Sequence, residues 1–275
     1  MWNATTFTKN RERFERHGLV QEFFERVVEV ALVKRYASND HFTVDGALIQ
    51  SWASLKSFRP KDEKGDDPPS EGGDNAGVNF RGQRRSNETH QSTTDPESRL
   101  ARKGNHVGAY LCHSGHVLAE NRHGLCLDIR VAGADGHAER DQAQVMMRHF
   151  RQRHGIQPKT LGADAGYEAG GFLQAVENDL KIQPHVPITA TRVTTPGPEG
   201  DARRRMLKRM ETLAYQLSQR ARKKVEQAFG WLKQAGGLRK VRHVGRWKIQ
   251  QVAYLWAAAY NLLRMANLEL RSSAA

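Results

Sequence analysis

Cysteine is scarce in this chain of 275 residues, which contains only Cys112 and Cys126. Two cysteines cannot form the disulfide framework of a small secreted domain, so a hydrophobic core must hold the fold together. Both lie near histidines, in the pairs Cys112/His116 and His123/Cys126, and a structural zinc site is therefore an alternative. The spacing is irregular and lacks a paired CxxC motif, which makes zinc the weaker interpretation.

Long apolar runs are also missing. No stretch approaches the roughly 20 residues of a membrane-spanning helix. The first ten residues, MWNATTFTKN, lack the charged start and apolar stretch of an export signal. We expect a chain that does not enter a membrane and that resides in the cytoplasm.

Acidic residues are outnumbered by basic ones. The chain has 43 Lys and Arg against 30 Asp and Glu, a formal net charge of +13. Such an excess favours a polyanionic partner, and nucleic acid is the first candidate. A basic protein that is merely soluble is the alternative.

Aliphatic side chains are nearly absent from residues 58–104. This composition predicts a flexible, polar and basic insertion. Arg81, Arg84 and Arg85 lie in it beside several hydroxyl residues and could contact DNA phosphates, although a solvated loop explains the same composition.

The remaining hydrophobic pattern predicts an α/β fold, a mixed sheet flanked by helices. Residues 1–38 are expected to be helical from 6 to 38, residues 39–270 to form the main domain, and residues 271–275 to be a tail. The elements expected in the main domain are strands at 41–49, 110–118, 124–131, 159–164 and 182–188, and helices at 138–153, 171–179, 202–233 and 247–270. Pro184 and Pro187 confine the last strand to a sheet edge.

Three acids are candidates for a divalent-metal site. Asp45 and Asp164 each end a short apolar run, and Glu226 lies in a long helical segment. Carboxylates are the ligands that Mg²⁺ prefers, and two such ions can activate water and stabilise the leaving oxygen in phosphodiester cleavage. Taken singly, each acid has a simpler explanation, since Asp45 and Asp164 lie near glycines in turn-like sequences and Glu226 lies among lysines.

The helical spacing around Glu226 strengthens this interpretation. At 3.6 residues per turn, Arg222, Glu226 and Lys233 share one face, while Val225 and Leu232 lie on another. One face can therefore pack while the other binds a ligand.

These segments resemble bacterial insertion-sequence transposases of the DDE class. The resemblance is carried by FTVDGALIQSWASLKSFR (42–59), LGADAGY (161–167) and VEQAFGWLK (225–233), and it extends to SNETHQSTTDPE (86–97), GHVLAEN (115–121), GGLRK (236–240) and AAAYNLLR (257–264). It covers nearly the whole chain.

The resemblance implies a ribonuclease-H-like fold in which Asp45, Asp164 and Glu226 bind two Mg²⁺ ions, with Mn²⁺ as a plausible substitute. It also implies that Arg222 and Lys233 grip double-stranded DNA near the scissile bond. The implied activity is cleavage of the 3′ strand at element ends and transfer of that strand into target DNA, by a homo-oligomer assembled on the DNA.

Two departures from the family pattern stand out. Gln219 replaces a family tyrosine, and relatives carry a further N-terminal helical region that recognises transposon ends, so we expect an N-terminally truncated copy. Two other functions stay open: a catalytically impaired DNA-binding remnant and a general metal-dependent nuclease. Asp95 and Asp128 are expected to be structural, with Asp128 as the spare carboxylate.

Overall fold

The computed structural model describes residues 3–61, 85–104, 106–190 and 196–273. Its helices are α1 (Ala4–Arg16), α2 (Leu19–Val33), α3 (Ala138–His154), α4 (Gly170–Asn178), α5 (Pro198–Met210), α6 (Leu213–Gln234) and α7 (Arg246–Ser273). Its strands are β1 (His41–Gln50), β2 (Phe58–Pro60), β3 (His90–Ser92), β4 (Arg99–Ala101), β5 (Tyr110–Glu120), β6 (Cys126–Gly133), β7 (Thr160–Gly162) and β8 (Gln183–His185). Two single 3₁₀ turns are formed by Leu55–Ser57 and Ala165–Tyr167.

Strand β1 lies in the middle of a mixed sheet. The strand order is β4-β5-β1-β7-β8, and β6 also pairs with β5. β1 is antiparallel to β5 and parallel to β7, and β8, which contains Pro184, is the edge strand expected from the prolines of segment 182–188. Helices α3, α6 and α7 pack against the sheet. The predicted mixed sheet flanked by helices is thus confirmed.

The core joins the sheet to the helices at both ends of the chain. Phe42 of β1 meets Phe150 of α3 edge to face, with ring centroids 5.3 Å apart. Phe24 of α2 stacks on Tyr254 of α7 at 5.6 Å. Helix α2 is therefore part of the same core as the sheet, and the amphipathic pattern at the start of the chain reflects this packing.

Two predicted helices are each interrupted. The helix expected over 6–38 breaks at Gly18, whose φ of 66° is a left-handed conformation that glycine adopts without steric cost, and α2 already ends at Val33. The helix expected over 202–233 splits into α5 and α6 at Thr212, whose hydroxyl accepts a hydrogen bond from the Tyr215 N–H at 3.3 Å. Both breaks were missed because a single cap residue barely changes an otherwise helical pattern.

The described parts of segment 58–104 correct the prediction of a flexible insertion there. Strands β2 and β3 pair with each other, and β4 joins β5 in the main sheet. Asp95 is fully buried, accepting a hydrogen bond from Ser51 at 2.8 Å and lying 2.9 Å from Nε2 of His113. Hydrogen bonds between buried polar side chains therefore hold this segment in place of apolar contacts. Composition alone does not predict such hydrogen bonds. Residues 62–84 lie outside the described residues.

Helix α7 covers the outer edge of β6 through two amide side chains. Asn261 accepts from the Cys126 N–H at 2.9 Å and donates to the Cys126 carbonyl at 2.7 Å. Gln250 does the same for the Val131 N–H and the Ile129 carbonyl, at 2.7 and 2.8 Å. The backbone groups that an edge strand would leave open are thereby satisfied. Neither α7 nor another described helix has the length and apolar character needed to cross a membrane.

Candidate active site

Asp45 and Asp164 face each other at the centre of the sheet. The parallel pairing of β1 with β7 places Thr43 beside Gly162, and continuing this register by two residues brings Asp164 opposite Asp45. The negative charge of Asp164 acts on Asp45, so the two carboxylates lie near each other. The structure therefore brings together two acids that are 119 residues apart in the sequence.

The electrostatics of this pair are unusual for aspartate. Burial, followed by the negative charge of Asp164, raises the pKa of Asp45 to about 6, and Glu139 adds a smaller effect in the same direction. The Gly46 N–H, 3.0 Å from Asp45 Oδ1, and the Arg222 guanidinium partly oppose the shift. Carboxylates that repel each other in a poorly solvated place favour a bound cation.

Helix α6 carries the remaining predicted residues across the ends of β7 and β8. Gln219 anchors the helix, because its side-chain NH₂ donates to the His185 carbonyl at 2.7 Å. Arg222 follows one turn later, near enough to Asp45 to affect its pKa, and its side chain is 20% exposed. Glu226 follows after one further turn, with a side chain that is 59% exposed and lies 4.0 Å from an Arg222 nitrogen.

Lys233 reaches the same region from the far end of α6. Its half-buried position lowers its pKa, the positive charges of Lys103 and Arg239 lower it further, and Asp45 opposes this shift. Lys233 and Arg222 therefore both lie near Asp45, and Lys103 and Arg239 lie near Lys233. Such a cluster suits the negatively charged backbone of a nucleic acid.

The predicted acids are brought together only in part. Within the described ranges, no three acidic, histidine or cysteine side chains converge closely enough to form a ready-made metal site. Asp45 and Asp164 are neighbours, whereas Glu226 points to solvent beside Arg222. Of the three arginines predicted to contact DNA from segment 58–104, Arg81 and Arg84 lie outside the described residues, and Arg85 is partly exposed at the start of an ordered stretch.

A family model described as "Transposase DDE domain" matches residues 86–262. The match covers well over half of the chain. The chain belongs to the transposase DDE domain family. The matched stretch includes Asp164 and Glu226, while Asp45 lies before its first residue.

Solved structures similar to this transposase DDE domain include two complexes of the Mos1 transposase. One is described as the Mos1 mariner paired end complex with Mn, with 12% identity and a TM-score of 0.28 over 90% of this chain and 62% of the other. The second, a Mos1 paired-end complex with the left transposon end, has the same identity and TM-score over 88% and 62%. The chain thus spans less than two thirds of the length of these proteins. Among curated proteins, none matches.

Sequence reasoning about this transposase DDE domain missed Glu139. This residue lies in the first turn of α3, and its charge acts on Asp45. An acid in the first turn of a helix is common, because it interacts favourably with the helix dipole. No local sequence signal therefore separated Glu139 from an ordinary helix-start residue.

Asp128, the alternative candidate for a metal-binding carboxylate, has the structural role that we expect from the sequence. It is almost fully buried, accepts from the Arg130 guanidinium at 3.1 Å and lies 2.9 Å from Nδ1 of His149. Arg130 and His149 therefore satisfy its carboxylate.

The zinc alternative is not supported. Cys112 is fully buried, and its thiol lies 3.6 Å from the Arg99 carbonyl oxygen. His116 lies 2.9 Å from the Ser114 hydroxyl, and His123 lies 2.6 Å from the Tyr36 carbonyl oxygen. Both histidines are thus within hydrogen-bond distance of oxygen atoms. The described residues contain no group of three or more His, Cys, Asp or Glu side chains that could bind zinc.

Proposed function

We propose that this chain is a DNA transposase that cleaves the 3′ strand at element ends and joins it to target DNA. In the first step, water attacks phosphorus and the bond to the 3′ oxygen breaks. In the second, the freed 3′-OH attacks a target phosphodiester and displaces its 3′ oxygen. The observation that carries the proposal is the partly buried Asp45/Asp164 pair in a member of the transposase DDE domain family.

Asp45, Asp164 and Glu226 are proposed to bind the catalytic metal, two Mg²⁺ ions or Mn²⁺ in their place. The donor set fits such ions, because all three are carboxylates and Mg²⁺ needs only one or two of them beside water and substrate phosphate. When bound, the ions supply a more acidic water and stabilise the charge of the leaving oxygen. Asp45 and Asp164 hold them at the sheet, and Glu226 contributes from α6.

Arg222 and Lys233 are proposed to hold the DNA backbone beside the scissile phosphate. The Nε atom of Arg222 is buried and has no hydrogen-bond partner among the described residues, so a donor is available. A phosphate oxygen can accept from this guanidinium, which the side chain already presents near Asp45. With the net charge of +13, this supports double-stranded DNA as the partner.

Assembly of a homo-oligomer on DNA is part of the same proposal. The similar Mos1 structures are described as paired-end complexes, in which two transposon ends are held together. Joining both ends of an element to one target requires two active sites acting together. We propose the same arrangement for this chain.

One observation favours a second candidate, a DNA-binding remnant without catalysis. Glu226 is exposed and is not grouped with Asp45 and Asp164. A chain in which this residue never reaches the metal would bind element ends without cutting them. A general metal-dependent nuclease would instead cut DNA without joining it.

The deciding experiment uses the chain with duplexes that carry the inverted repeats flanking its coding region. Wild type with Mg²⁺ is expected to nick the 3′ strand and join it to a target plasmid. Glu226→Gln should reduce both activities by roughly 100-fold or more, the typical loss when one transition-state contact is removed. Gln227→Glu is the control for unspecific effects of charge, because it changes the charge of the same helix and leaves Glu226 in place. Shifted DNA with no Mg²⁺-dependent product would favour the remnant, and nicking without joining would favour the nuclease.

A further inference from the structure

We infer that Glu139 is a further metal-facing carboxylate, which lies with Asp45 and Asp164 around the position that a hydrated metal ion would occupy. The inference rests on the proposed metal-dependent function and adds a residue to it. Glu139 lies on α3, an element that the resemblance did not connect with the metal.

The side chain of Glu139 occupies a slot between the two segments that carry the aspartates. A Cβ atom added at Gly46, directly after Asp45, would lie 2.8 Å from Glu139 Oε1. One added at Gly166, two residues after Asp164, would lie 3.3 Å from the other oxygen, Oε2. The two oxygens of one carboxylate therefore lie close to the glycines that neighbour both aspartates.

The distance between Glu139 and Asp164 is bounded by the same geometry. The Cβ position at Gly166 is 3.0 Å from Asp164 Oδ1 and 3.3 Å from Glu139 Oε2. These two oxygens cannot be farther apart than the sum of those distances. Mg²⁺ binds oxygen at about 2.1 Å and often keeps water between itself and a carboxylate, so one hydrated ion can bridge this separation.

A second observation, independent of the acids, points to a ligand at this place. Tyr167 is only 1% exposed, and its hydroxyl has no hydrogen-bond partner among the described residues. The charges of Glu139, Asp45 and Asp164 all act on this phenol. A buried hydroxyl without a partner is costly, and water bound to an ion at the cluster would provide the missing partner.

The absence of side chains at Gly46 and Gly166 leaves space for the Glu139 carboxylate at the start of α3. Gly46 has no positive φ, so alanine would be compatible with its backbone, and the space taken by Glu139 is what excludes a side chain there. Asp135 fixes the start of α3, because its Oδ1 accepts from the Ala138 N–H at 2.7 Å. The first turn, and with it Glu139, is held against β1.

Mn²⁺ titration of the full chain without DNA, followed by calorimetry, tests this inference. Glu139→Gln is expected to weaken Mn²⁺ binding by roughly tenfold or more, the usual loss when a group close to a bound metal is removed. The matched control is Asp141→Asn, which removes the same charge from an exposed position in the same helical turn and should change affinity by no more than about twofold. Equal affinities for these two variants would overturn the inference.

A second pair of variants covers the case in which Glu139→Gln does not fold. Gly46→Ala keeps every charge and displaces the Glu139 carboxylate, whereas Gly133→Ala adds a methyl group whose nearest neighbour, Asp135 Oδ2, is 4.0 Å away. Weaker Mn²⁺ binding by Gly46→Ala alone is expected, and unchanged binding would contradict the inference.

The two proposals fail in different ways. A chain that nicks element ends while Glu139→Gln binds Mn²⁺ like Asp141→Asn would refute only the role of Glu139. A chain that binds Mn²⁺ through Glu139 and never nicks DNA would refute the proposed function and leave the metal cluster in place.

Discussion

Asp45 lies opposite Asp164, two residues beyond the last position at which β1 and β7 are paired. This arrangement removes a carboxylate from water and places a second negative charge beside it. In the metal-free protein such a pair opposes folding, because desolvation and repulsion both disfavour the ionised form. A bound cation would offset this desolvation and repulsion, and would thereby stabilise the folded protein.

Asp45→Asn is expected to stabilise the metal-free protein at pH 8 and to abolish cleavage. Asp45 has a pKa of about 6 when folded and an ordinary value of 3.8. The folded state then binds the proton more tightly than the unfolded state, so the free energy of unfolding falls as pH rises from about 4 to 6. The shift corresponds to roughly 3 kcal/mol at most.

Urea unfolding in EDTA at pH 4 and pH 8 measures this effect. The gain from Asp45→Asn should be largest at pH 8 and much smaller at pH 4, where the wild-type carboxyl is protonated in the folded state and about two-fifths protonated in the unfolded state. Asp141→Asn, on the exposed side of α3, should show no comparable gain. A gain of equal size at both pH values would show that ionisation of Asp45 is not its cause.

Tyr167→Phe should also stabilise the metal-free protein, by about 1 kcal/mol, since it removes a buried hydroxyl that has no partner among the described residues. The same change should weaken Mn²⁺ binding if this hydroxyl faces the bound ion's water. Thermal unfolding with EDTA and with Mn²⁺ separates the two effects. Destabilisation in EDTA would contradict this prediction, because it would show that the hydroxyl makes a favourable hydrogen bond in the metal-free protein.

The sheet could be predicted largely from the sequence because its strands carry strong local signals. The hairpin of β5 and β6 follows alternating apolar residues, and Pro184 marks β8 as an edge. The polar network of Ser51, Asp95 and His113 could not be predicted, since it buries hydrophilic residues through pairing that depends on the fold. Composition alone therefore predicts a flexible insertion over the whole of segment 58–104.

The site was less predictable than the sheet. Asp45 and Asp164 could be selected because each follows an apolar strand, and the strand register brings them together. The place of Glu139 depends on the docking of α3 against β1, which no local pattern encodes. Helical spacing put Glu226 and Arg222 on one face, but it could not tell that Glu226 would point to solvent.

Asn261→Leu should destabilise the protein by roughly 2–5 kcal/mol, because it leaves the buried N–H and carbonyl of Cys126 without partners. The matched control is Asn267→Leu, the same change at an exposed position of α7, which should stay within about 0.5 kcal/mol of wild type. Urea unfolding measures both. Equal small effects would show that α7 does not depend on this contact to cover β6.

Arg222→Gln should move the acid limb of the Mg²⁺-dependent nicking rate to higher pH. Arg222 lowers the pKa of Asp45, so removal of Arg222 raises that pKa. At a given acidic pH more of Asp45 is then protonated, and a protonated carboxyl does not bind the cation. We expect a shift of roughly half a pH unit to one pH unit, near the lower end of what a close opposite charge produces.

Arg220→Gln is the control, because it removes the same charge from an exposed position on α6. It should leave the acid limb in place and weaken DNA binding by lowering the net positive charge. If both variants lose affinity for DNA equally and neither changes the pH profile, Arg222 acts only as one more basic residue of the surface, and its proximity to Asp45 has no part in the chemistry.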